Sequence, residues 1–125
     1  MRGERLEVRE KISSFHNLTV YQKSFQLALE VHKGTKTFPE TERYELGAQL
    51  RRAAVSIPAN IAEGYGRKKS TAEFKHFLRN ALGSCNEAQV LLSIATDLGY
   101  SSVAEKAEQY NELGKQIYRL IQVWQ

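Results

Sequence analysis

The sequence is poor in residues that cross-link or punctuate a chain: of its 125 residues, one is cysteine, two are proline and eight are glycine. A lone Cys85 excludes an internal disulfide, and its apolar surroundings (Ala81, Leu82, Ala88) point to a buried, reduced thiol. With only Pro39 and Pro58, and with glycines mainly near 64, 66, 83, 99 and 114, a few long elements are favoured over many short strands. Long apolar runs are missing as well. Nothing approaches the roughly 20 residues of a membrane span, and the opening MRGERLEVREK lacks the apolar segment of a signal peptide. A cytoplasmic protein without a membrane partner is expected.

What is present is a globular composition. With 42% hydrophobic and 26% charged residues the chain is not a disordered tail, and its length suits one domain with a single core. Residues 1–16 alternate in charge sign with few apolar anchors and read as a charged leader, leaving 17–125 as the domain. Four helical patterns follow. The first places Leu18, Tyr21, Phe25, Ala28, His32 and Thr35 on one face, with His32 read as a core histidine. Pro39 disfavours helix at Phe38, and Thr41 is placed to cap the next helix. That second helix, over about 42–63, turns Leu50, Ala54, Ile57 and Ile61 inward and contains Pro58. Because Ile57 and Ile61 keep their register across the proline, a helix kinked at Pro58 is predicted rather than one that stops there.

Residues 64–69 read as a loop, and Ser70 with Glu73 as a capping box. The third helix repeats Phe74, Leu78, Ala81, Cys85, Ala88, Leu92 and Ala95 in alternating steps of four and three, and Gly99 closes it. The fourth carries Val103, Ala107, Tyr110, Gly114, Ile117, Ile121 and Trp124. Together the four patterns cover about three quarters of the chain, against a usual third. With short connections they predict an all-α, antiparallel up-and-down four-helix bundle. Phe77, Leu91 and Ile94 widen the apolar face of the third helix, which suits burial between subunits or a broad stripe inside a monomer.

The net charge of +4 is local. Arg67, Lys68, Lys69, Lys75 and Arg79 oppose only Glu73 over residues 67–79, and the rest of the chain balances. Flexible cations beside a helix N-terminus suit phosphate oxygens, Arg51 and Arg52 can join them, and Tyr65 can stack on an unpaired base. The same run also serves as a solvated face that only confers solubility. Glu73 and His76 have the Glu-x-x-His spacing of di-iron bundles, but in one copy only, and Gly64-Tyr65-Gly66 lacks the third glycine of a nucleotide fingerprint. No Ser-His-Asp set or zinc cluster appears. No catalytic residue, metal or cofactor is therefore assigned, and the chain is read as a non-enzyme.

Residues 49–67, QLRRAAVSIPANIAEGYGR, resemble the signature of the four helix bundle proteins encoded in intervening sequences of bacterial 23S ribosomal RNA genes, also called the S23 ribosomal protein family. LTVYQK at 18–23, FKHFLRNALGSCNE at 74–87 and ATDLGY at 95–100 match that family in the same order. The resemblance implies a homopentamer with a central channel and no enzymatic activity. It also implies an association with nucleic acid, inferred from genomic setting and from similar basic pentamers that accompany the reverse transcriptases of diversity-generating retroelements. The matching basic positions are Arg51, Arg52 and Arg67, while Lys68, Lys69, Lys75 and Arg79 extend the patch on charge alone. Arg51 and Arg52 have a second reading, as ion-pair partners of Glu63 or Glu87 in a neighbouring subunit. The expectation is a non-enzymatic homo-oligomer that binds RNA or another nucleic acid; the alternative is an interaction scaffold that holds a protein partner.

Overall fold

Four long helices, α1 (Thr19–Thr35), α2 (Leu46–Gly66), α3 (Thr71–Asp97) and α4 (Lys106–Val123), make up the computed structural model, which describes residues 12–125. No strand occurs among the described residues. Residues 1–11 of the charged leader lie outside them. A single 3-10 turn, Phe15–Asn17, precedes α1, capped by Ser14, with Asn17 reciprocating; Ile12 and Phe15 pack against the core.

Helix α1 buries Val20, Ser24, Leu27, Ala28, Val31 and Thr35. The predicted stripe was therefore displaced: Phe25 is half exposed, and His32 is a surface residue with Nδ1 3.0 Å from the Ala28 carbonyl. Both registers obey the spacing of three and four and include Ala28 and Thr35, and it is Ser24 together with Thr35 that makes the true one look polar. Their hydroxyls bond the carbonyls of Tyr21 and His32 within the helix, which removes most of the cost of burying them.

The entry to α2 also differs. Residues Glu40–Tyr44 form a short helix with Pro39 before it, so Thr41 lies inside that turn rather than capping α2. At Glu45 the backbone breaks (φ −110°, ψ −86°), and α2 then runs without interruption through Pro58 to Gly66. Asn60, two residues beyond the donor that proline removes, adds a side-chain bond from Nδ2 to the Ser56 carbonyl at 2.8 Å. Gly64, Tyr65 and Gly66, expected in a loop, complete the helix. They do so because α3 packs there: a Cβ on Gly64 would lie 2.6 Å from Cβ of Phe77. The chain turns only over 67–70, where Ser70 Oγ accepts the Glu73 amide. The Glu73 carboxylate reaches Arg67 instead of returning to the cap, so half of the expected box forms.

Helix α3 buries every residue of its predicted seam, from Phe74 to Ala95, and ends where Gly99 takes φ +90°, a conformation natural to glycine. Successive helices fold back on one another. Gly64, near the end of α2, meets Phe77 near the start of α3, and the Ser84 hydroxyl reaches that of Ser56 at 2.9 Å. Phe74 packs edge-on to Trp124, the Cys85 thiol donates to the Tyr110 carbonyl, and the Lys106 ammonium bonds Glu30, so α4 lines both α3 and α1. Leu50, Ile57, Ile61, Phe74, Leu78, Leu92 and Ile117 are fully buried between them. Each contributes about 1.5–3 kcal/mol relative to exposure.

Candidate nucleic-acid interface

The short turn between α2 and α3 carries three consecutive cations, and each meets a different fate. Arg67 is held: its guanidinium lies 3.4 Å from both Glu63 and Glu73 and 5.1 Å from the centre of the Phe77 ring. It joins the end of α2 to the start of α3, with its charge offset by two half-exposed carboxylates, and such exposed pairs contribute about 0–1 kcal/mol each. Lys68 donates to the Tyr65 hydroxyl at 2.7 Å and sits 4.0 Å from that ring's centre. Lys69 is exposed and has no ion pair among the described residues.

Tyr65 departs from its predicted role. Only 7% exposed, its ring stands edge-on to Phe74 and Trp124 in the core, so it cannot offer a face to a base. Its hydroxyl reaches the surface far enough to hold Lys68. The tyrosine thus positions a cation instead of stacking on a ligand.

Lys75 and Arg79 project from the first turns of α3 without carboxylate partners among the described residues. Lys75 and Arg79 precede Leu82 by seven and three residues, placing them on its flank, and Leu82 approaches Gly114 of α4. Arg67, against Glu73 and Phe77, lies on the opposite flank, beside α2. The basic cluster of the sequence is therefore divided around the start of α3. Its uncompensated charge rests on Lys69, Lys75 and Arg79, with Lys68 behind them.

Arg51 and Arg52 lie elsewhere, in the first half of α2. Arg51 serves the fold: Nη1 donates to Thr35 Oγ1 and Nη2 to the Arg43 carbonyl, both at 2.9 Å, joining α1, the short helix and α2. Arg52 is exposed beside a cleft lined by Gln49, Ser56, Ser84 and Glu87, and makes no ion pair there. Neither belongs to the cluster at the α2–α3 turn.

Burial pushes the Cys85 thiol up to about 11, which keeps it protonated and poorly nucleophilic. Glu73 and His76 are both exposed, and no three His, Cys, Asp or Glu side chains among the described residues could hold a metal ion. No described helix is long and apolar enough to cross a membrane. Sequence reasoning missed a second feature, an apolar groove between α1 and α2 lined by Phe25, Leu29, Val55 and Pro58. The alternative α1 register, starting at Val20, would have revealed it.

The model of one protein family, described as 23S rRNA-intervening sequence protein, matches residues 16–123. No curated protein matches the chain.

Proposed function

The chain belongs to the 23S rRNA-intervening sequence protein family, and from that premise we propose that it catalyses no reaction and works as a homo-oligomeric helical module that binds RNA. The observation that carries this reading is the group Lys68, Lys69, Lys75 and Arg79 at one end of the bundle, none of them with a carboxylate partner among the described residues and only Lys68 held, by the Tyr65 hydroxyl. The first-turn amides of α3, which have no intrahelical acceptors, add positive potential at the same place. Four cations in one chain bind phosphate weakly. A ring of five, as the family resemblance implies, would repeat them on every subunit and raise the effective affinity by multivalency.

Counterion release makes the test direct: RNA retained on a filter should fall at least about tenfold between about 50 and about 300 mM salt. Replacing Lys68, Lys69, Lys75 and Arg79 together by Ala should weaken binding across RNA sequences and leave the oligomer mass unchanged. Absent or salt-independent binding overturns the proposal. A protein partner still recovered after nuclease treatment would instead assign the chain to scaffolding, which its exposed apolar surface favours.

A further inference from the structure

Two exposed apolar surfaces on this chain match one another in length and oppose one another in charge. One is the groove between α1 and α2, where Phe25 and Leu29 are 49% and 45% exposed beside Val55, Pro58 and Ala59. The other is a stripe on α3, where Val90, Ile94 and Leu98 follow at steps of four and are 60%, 44% and 53% exposed. At 1.5 Å per residue the stripe extends about 12 Å, and the α2 wall of the groove, from Val55 to Ala62, about 11 Å. The groove wall on α2 is built of small residues, Ala59 and Ala62 among them, so another helix can approach closely.

The charges around the two surfaces are segregated. No acidic residue occurs between Glu30 and Glu40 or between Glu45 and Glu63, the stretches that supply the end of α1 and the outer wall of α2. Lys33 and Lys36 lie there, one turn beyond Leu29 and His32, and form no ion pair among the described residues. The stripe reverses this pattern, with no lysine or arginine between Arg79 and Lys106. Glu87 and Asp97 bracket it, both exposed and without an ion pair among the described residues. A cation-rimmed groove and an acid-rimmed ridge on one chain are complementary across two copies.

We propose that the α1–α2 groove of one copy receives the Val90–Ile94–Leu98 stripe of the next. This rests on the homo-oligomeric reading above and specifies its contact. Because the two surfaces differ, the contact is head-to-tail, so copies add in one sense instead of stopping at a two-fold dimer, and a rotation that closes makes a ring. Unequal surfaces also give a test that a two-fold contact would fail.

Leu29→Lys spoils the groove alone and Ile94→Lys the stripe alone, and because both introduced charges are positive the two spoiled surfaces repel one another. An unpaired charge buried in a contact should weaken self-association by at least about a hundredfold, leaving each variant monomeric by light scattering with unchanged circular dichroism. Mixed, the two variants should form a dimer with one copy of each and nothing larger, since one intact groove and one intact stripe remain. If Ile94→Lys fails to fold, Val90→Lys, at a more exposed position, takes its place. Variants that stay fully assembled, or monomeric variants that do not pair when mixed, overturn this contact while the oligomer stands. A monomeric unsubstituted chain overturns both.

Discussion

Arg51 commits its guanidinium to Thr35 Oγ1 and the Arg43 carbonyl, so Arg51→Ala should lower stability by about 1.5–3 kcal/mol, the range for hydrogen bonds to a charged group. A denaturant melt checks this, and RNA affinity of the folded variant should be unchanged. Cys85 and Tyr110 form a second structural pair. Burial raises the Cys85 thiol from 9.0 to about 11 and pushes the Tyr110 hydroxyl far above its ordinary value. Both stay neutral in the folded chain while the unfolded chain ionises. Stability is therefore complete below about pH 9 and falls as pH rises towards 11, which thermal melts across that window will show. The Tyr110 hydroxyl is buried without a hydrogen-bond partner among the described residues, so Tyr110→Phe should be neutral or stabilising by up to about 1 kcal/mol.

At the scale of elements, α2 and α3 depend on the missing side chain of Gly64. Ala there gains up to about 1 kcal/mol of helix propensity but places Cβ 2.6 Å from Phe77 Cβ and 3.3 Å from the Phe74 carbonyl. The clash should dominate, with a net loss of about 1–3 kcal/mol in a urea melt. That contact also shows where sequence pattern stops. The seam of α3 was legible because seven apolar or small positions repeat without a rival register. In α1 two registers compete, and only packing against α2 and α4 selects the one containing Val20, Ser24, Leu27 and Val31. Gly64-Tyr65-Gly66 looked like a loop because glycine ordinarily ends helices; here close helix approach, a tertiary fact, determines it.

For the whole molecule, the net charge of +4 conceals an arrangement: cations at the α2–α3 turn and along the end of α1, acids bracketing the outer stripe of α3. The basic cluster was visible in the sequence as a run. Its division around α3, the capture of Arg67 by Glu63 and Glu73, and the burial of Tyr65 were not, because each depends on which helix flank faces a neighbour. Assembly, as proposed above, multiplies a small basic surface into one that holds RNA. Sedimentation velocity of the chain with a fluorescent single-stranded RNA, followed by protein and RNA absorbance together, tests it most directly. At about 50 mM salt both signals should move as one species larger than a monomer, and at about 300 mM the RNA should separate while the protein stays assembled. A protein boundary at the monomer, or RNA that never moves with the protein, would contradict the account.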